Sequence, residues 1–342
     1  MILRGAVELR RERYLSELLD PRRGFERTRA PVEVRWDPLT GQSCRLLPEG
    51  SIPPPERYDL QRLSDETASD CPFCRGALMS ATPRFPPEVW ADGRICVGEA
   101  VAFPNLVPYA KWSSVSIYSP DRHLLPIEEI TPRLLADNLL TQIRFASAVC
   151  AHDAESAWIS ISANHLPPSG SSIFHPHLQG SANPVPTTFQ RLLAELPPAA
   201  IQEYVALEKR DGERYIGATG PVEWLASFAP SAPAEVRGFF FGCSSPVDFD
   251  EESVDHLGRG ISIALTTYAD LGFQSFNLAI YGAPPRTAAN VLCVRLVARA
   301  YFGALSRSDA MWSERLHAEG ATDLAPETVA AVARKAATTH AG

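Results

Sequence analysis

No stretch of this sequence stays apolar for the roughly 18 residues that a membrane-spanning helix requires. A membrane partner is therefore not expected. There is no surplus of basic charge either. Lys and Arg number 32 against 40 Asp and Glu, a formal net charge of -8. That balance argues against a broad nucleic-acid footprint. Residues 1–13 mix basic and apolar side chains and lack the apolar core of a signal peptide. A cytoplasmic location is the expectation. The seven cysteines are an odd number, mostly scattered, which argues against a disulfide framework. Cys44, Cys96, Cys150, Cys243 and Cys293 read as reduced, packed residues. No internal repeat is visible in residue identity.

What is present fits an ordinary soluble protein. Of 342 residues, 45% are hydrophobic and 21% charged. The length suits two domains of roughly 150 residues each. The central stretch runs from Asn164 to Gln179, Asn-His-Leu-Pro-Pro-Ser-Gly-Ser-Ser-Ile-Phe-His-Pro-His-Leu-Gln. The apolar run Ala157 to Ile161 before it reads as a buried strand. Pro167 to Gly170 reads as a turn, and Ile173 to Leu178 as a returning strand. Alternation along that strand sets His175, His177 and Gln179 on one face. A neutral imidazole is a good nucleophile toward phosphorus, and covalent catalysis splits one displacement into two. Gln179, Ser171, Ser172 and Asn164 offer neutral donors for phosphate oxygens.

Elsewhere the chain alternates strands and helices. Gly5 to Arg29 reads as a charged helix, with Leu9, Tyr14, Leu15 and Leu18 as a partial apolar stripe. Asp37-Pro38-Leu39-Thr40-Gly41 is a turn between extended runs. Val115 to Tyr118 reads as a strand. Thr131 and Pro132 are the cap and first residue of a helix whose apolar face includes Leu135, Leu139 and Ile143. After Pro184 and Pro186 the order of helices and strands starts again. Cys71-Pro72-Phe73-Cys74 fits a zinc knuckle, a redox pair or chance spacing. No thioredoxin-like pattern surrounds it, and zinc needs two further ligands.

The Asn164–Gln179 segment resembles the active-site segment of the galactose-1-phosphate uridylyltransferase family. That family is a branch of the histidine-triad superfamily, which also holds ADP-glucose phosphorylase-like enzymes. The resemblance implies an α+β fold of two histidine-triad-like domains, each an antiparallel sheet with packed helices. Residues 30–186 would form the catalytic domain and 187–342 a degenerate one lacking the catalytic motif. It implies that His177 is the nucleophile, with Gln179 and Ser172 beside it. It implies that His175 ligates a structural Zn²⁺ with Cys71, Cys74 and His123. His123 follows a Ser119-Pro120-Asp121-Arg122 segment one residue longer than the family's. Arg35, ahead of Pro38-Leu39-Thr40-Gly41, is similar in place to an arginine that contacts nucleotide phosphates. Phe103 and Asn105, in Phe-Pro-Asn-x-x-Pro, fall where the family builds its nucleoside pocket. A homodimer is implied too.

Two departures matter. The second-half stretch from Phe276 to Pro285 lacks the family's His-x-His pair, so no second metal site of that kind is expected. The region of Ser313-Glu314-Arg315 lacks the family's Gly-Tyr-Glu, which argues against galactose 1-phosphate as substrate. The expected function is nucleotidyl transfer from a nucleoside diphosphate sugar, or related compound, to a sugar phosphate or inorganic phosphate. The alternatives are a dinucleoside polyphosphate phosphorylase or hydrolase, and an inactive nucleotide-binding protein.

Overall fold

A computed structural model describes residues 7–197, 199–284, 291–301 and 310–340. In chain order it holds β1 (Arg11–Asp20), β2 (Glu26–Trp36), β3 (Ser43–Leu46), α1 (Leu60–Thr67), α2 (Arg75–Ala81), β4 (Ile95–Val97), β5 (Ala100–Pro104) and β6 (Trp112–Ile117). Next come α3 (Pro132–His152), β7 (Trp158–His165), β8 (His177–Asn183), α4 (Thr188–Ala194), α5 (Ala200–Asp211), β9 (Tyr215–Thr219), β10 (Val222–Ala226) and β11 (Val236–Phe241). The chain ends with α6 (Glu251–Asp270), β12 (Ser275–Tyr281), β13 (Val291–Arg299), α7 (Trp312–Leu316), β14 (Gly320–Thr322) and α8 (Pro326–His340).

Ten strands form one antiparallel sheet in the order β4-β5-β6-β8-β7-β12-β13-β11-β10-β9. Five come from each half of the chain. β7 and β12 join the halves, with Asn164 opposite Asn277. A second sheet, β1-β2-β3-β14, ties the N-terminal strands to a C-terminal one. Among the described residues no helix is long and apolar enough to cross a membrane.

The two faces of the large sheet differ. On one, α3, α6 and α8 bury Leu135, Leu139, Ile261 and Ala333 against Ile161, Leu178, Leu278 and Leu296. A wholly buried leucine or isoleucine contributes ~1.5–3 kcal/mol through removal of its surface from water. Helix α3 starts where its cap chemistry requires, with Thr131 Oγ1 accepting from the Leu134 amide and Pro132 in the first turn. On the other face α5 and the β3 region cover one end through Tyr204, Phe239 and Cys44. The cysteine loop and α2 cover the other end through Cys71, Phe73 and Leu78 on Phe103, Val115 and Ile117. Between these covers the same face carries His177, Gln179, Ser162 and Asn164.

A polar clasp holds β6 to α3. Gln142 is wholly buried; its Oε1 accepts from Ser114 Oγ at 2.7 Å and its Nε2 donates to Ser116 Oγ at 2.7 Å. Gly180 makes room for it. A Cβ there would stand 2.1 Å from Gln142 Oε1 and 2.5 Å from Ser114 Oγ. Gly180→Ala should therefore cost ~2 kcal/mol of stability through overpacking. Urea unfolding of the variant checks this, and an unchanged midpoint would refute the clasp.

Two local expectations change. Gly5–Arg29 is not a helix where it is described. Arg11–Asp20 is β1, paired with β2 in the register Arg11↔Arg35. Asp20 accepts from the Arg22 amide, and Gly24 takes φ 62°. The chain reverses there, and cross-strand pairing prevails over the partial stripe. Glu17 meets Arg27 and Arg29 across the hairpin, each at 2.7 Å. Tyr14, Leu15 and Leu18 stay in solvent, with Leu15 61% exposed, while Leu9 packs against the core cluster of Tyr204 and Phe239. The returning strand also starts later than expected. β8 begins at His177, because Pro176 has no N–H to give a ladder. His175 precedes the strand, while His177 and Gln179 share a strand face.

Candidate active site

His177 opens β8 and is 6% exposed. Its Nδ1 lies 2.8 Å from the His175 carbonyl. A carbonyl only accepts, so Nδ1 carries the proton and donates it. Nε2 then keeps its lone pair, with Gln179 Nε2 at 3.4 Å. Burial holds the His177 pKa below the ordinary imidazole value, opposed in part by the bond to His175. The ring is neutral at pH 7, the form a nucleophile toward phosphorus requires. Phe73 meets both rings edge-on, with centroids 5.6 Å from His177 and 6.1 Å from His175. That contact limits their rotation.

His175 faces the other way. Its Nε2 donates to the Ser119 carbonyl at 2.9 Å, which leaves Nδ1 unprotonated. Nδ1 stands 3.6 Å from Cys71 Sγ and 3.7 Å from Cys74 Sγ. His123 Nδ1 is 3.4 Å from Cys74 Sγ. Its Nε2 is 2.9 Å from Thr67 Oγ1, which donates to the Leu63 carbonyl at 2.7 Å. The four ligand atoms lie within 4.8 Å of one another. A tetrahedral Zn²⁺ with bonds near 2.3 Å to sulfur and 2.0–2.1 Å to nitrogen sets S···N edges of about 3.6 Å. The residues fit that ion. Burial, then the adjacent Cys71 thiol, push the Cys74 thiol up to about 12. A bound cation would instead hold it as thiolate. Burial pulls His175 down to about 4.

The other expected site residues fall at varied places. Asn164 Oδ1 accepts from Asn277 Nδ2 at 2.7 Å. Continued by two residues, the β7–β8 register sets Asn164 beside His177. Ser171 Oγ donates to the Ile173 carbonyl at 2.6 Å, and Ser172 is exposed. Phe103 is 1% exposed and packs on Phe73 at 5.2 Å. Asn105 Oδ1 accepts from the Val107 amide at 3.0 Å, at the start of an exposed loop. Arg35 is buried in the other sheet. It donates to Glu33 at 2.6 Å, Glu327 at 2.8 Å and the Phe228 carbonyl at 3.3 Å. Its guanidinium also lies over the Phe228 ring.

Sequence reasoning missed three contributors. Phe73 was visible only as the filler of the cysteine pair. The Ser119 carbonyl leaves no side-chain signal. Asn277 lies in a stretch searched for histidines alone, and only the β7–β12 register brings it to the site.

No family model matches the chain. An uncharacterized protein of Archaeoglobus fulgidus is 30% identical over 318 residues, 87% of this chain and 90% of that one. An ADP-glucose phosphorylase from Arabidopsis thaliana, solved with bound ADP-glucose, is similar in structure with a TM-score of 0.66. It is 18% identical, with 89% of this chain and 99% of that one covered. A GalT-like protein from Arabidopsis thaliana has a TM-score of 0.64 at 19% identity, covering 88% and 98%. A uridylyltransferase mutant has a TM-score of 0.58 at 18% identity, covering 90% and 99%. The chain belongs to one family with the Archaeoglobus fulgidus protein, and it shares the fold of the GalT-like protein and the ADP-glucose phosphorylase.

Proposed function

We propose that the protein transfers a nucleotidyl group from a nucleoside diphosphate sugar, or a related diphosphate compound, through a nucleotidyl-His177 intermediate. The observation that carries this reading is the 2.8 Å contact of His177 Nδ1 with the His175 carbonyl, an acceptor that assigns the proton to Nδ1 and leaves Nε2 as the reacting atom. Nε2 attacks the α-phosphorus and a P–N bond forms. The bond from that phosphorus to the bridging oxygen breaks, and the sugar phosphate leaves with the electron pair. An oxygen of a second phosphate, from a sugar phosphate or inorganic phosphate, then attacks the same phosphorus. The P–N pair returns to Nε2. Leaving and entering groups are both phosphates, so no strong general acid is needed. Gln179, Asn164 and Ser172 are the candidate donors to the phosphoryl oxygens, where preorganised dipoles supply a large share of the acceleration. Arg35 would need to leave its carboxylate partners to join them. Phe103 and Asn105 form the proposed nucleoside side of the pocket.

Cys71, Cys74, His123 and His175 would hold a Zn²⁺ in a structural role, and that set would fasten the cysteine loop to the residues ahead of β8. The same reading carries a cytoplasmic homodimer. The acceptor is tested by incubating the enzyme with NDP-sugars, with and without inorganic phosphate. Nucleoside diphosphate formed only when phosphate is present supports the reading. Steady release of free nucleoside monophosphate without phosphate would make water the acceptor and refute it.

A further inference from the structure

Two amides and a guanidinium line up where the halves of the large sheet meet. Asn277 on β12 stands opposite Asn164 on β7. Its Nδ2 donates to Asn164 Oδ1 at 2.7 Å and to the Ser169 carbonyl at 3.0 Å. Its Oδ1 accepts from Arg299 Nη1 on β13 at 2.7 Å. A guanidinium can only donate, and a backbone carbonyl can only accept. The two groups together fix which end of the Asn277 amide faces which neighbour. Asn277 must then offer an N–H to Asn164. The oxygen of Asn164 is occupied, so its own NH₂ group turns outward. Asn164 lies two residues beyond Ser162, which pairs with Gln179, and so on the site face.

We infer that Asn277 and Arg299, from the half without the histidine row, are positioning residues for the nucleotidyl transfer. They orient the Asn164 amide so that its N–H group, not its oxygen, meets a phosphoryl oxygen of the substrate. This rests on the function proposed above. An oxygen turned to that place would repel the phosphoryl group as charge redistributes on phosphorus. Chains of hydrogen bonds with one polarity also strengthen one another in a buried setting.

Asn277→Asp tests the polarity. A carboxylate still accepts from Arg299 but cannot donate to Asn164, whose amide must turn over. The single-turnover rate of His177 nucleotidylation should fall ~10²-fold, the usual effect of losing one such donor. KM should stay within about threefold, because ground-state contacts elsewhere are untouched. Arg299→Met should lose roughly tenfold, and Arg299→Lys, which also only donates, should recover most of that rate. A wild-type rate in Asn277→Asp, with adduct forming in both proteins, would overturn the inference and leave the proposed function standing. Side-chain amide NMR decides the orientation without any reaction. In Asn277→Asp the Asn164 amide protons should become protected from solvent exchange, as they turn to the new carboxylate. Unchanged exchange at Asn164 would overturn the inference even if no donor reacted with the wild type.

Discussion

Replacing His177 with alanine should lower turnover of the preferred NDP-sugar by about 10⁴-fold or more, as expected when an enzyme loses its nucleophile. Only Nε2 of this ring carries a lone pair free of the backbone, because Nδ1–H is held by the His175 carbonyl. Gln179, the neighbour at 3.4 Å, has an amide nitrogen with no comparable nucleophilicity. His175 cannot substitute, since its Nδ1 faces Cys71 and Cys74. His177→Gln keeps most of the buried volume against Phe73 and should be equally inactive while melting close to wild type. Single-turnover kinetics with thermal unfolding check both statements. A variant that keeps activity within tenfold of wild type would remove His177 from the reaction.

The second large effect concerns the metal. Cys71→Ser with Cys74→Ser should abolish stoichiometric zinc and lower stability by ~4 kcal/mol, the linkage expected for an ion bound about a thousandfold above its dissociation constant. The loss follows from the arrangement of the loop. Cys71, Cys74, His123 and His175 come from three separate segments, and the ion would be their common partner. Without it, the Cys74 thiol stays protonated and the loop is held mainly by Phe73 and Leu78. Turnover should fall as well, because the His175 carbonyl that holds His177 Nδ1–H stands on the same backbone. Elemental analysis and calorimetry on wild type and variant test this. A metal-free wild type that melts together with the variant would contradict it.

How far the sequence alone could be read depended on the range of the interactions. The Asn164–Gln179 segment carries its own strand, turn and strand, so His177 and Gln179 could be placed on one face from local spacing, whereas His175 could not, because the strand begins only after Pro176. The cysteine pair and His123 could be joined to His175 only through the family resemblance, since 101 residues separate Cys74 from His175. The N-terminal hairpin was misread for a local reason. Leu9, Tyr14, Leu15 and Leu18 imitate a helical stripe, while the pairing partner of β1 follows only after the Pro21–Gly24 reversal. The part played by Asn277 was not legible. It depends on a strand register that spans 113 residues. Arg35 shows a similar limit, because its partner Glu327 lies 292 residues away.

The central claim is a covalent bond between His177 and a nucleotide. Intact-protein mass after mixing the enzyme with a panel of NDP-sugars, and no acceptor, tests it most directly. A gain equal to one nucleoside monophosphate is expected with at least one donor, and none in His177→Ala. Binding of nucleotides with no adduct from any donor would contradict it, and the protein would then be a nucleotide-binding protein on an enzyme's fold.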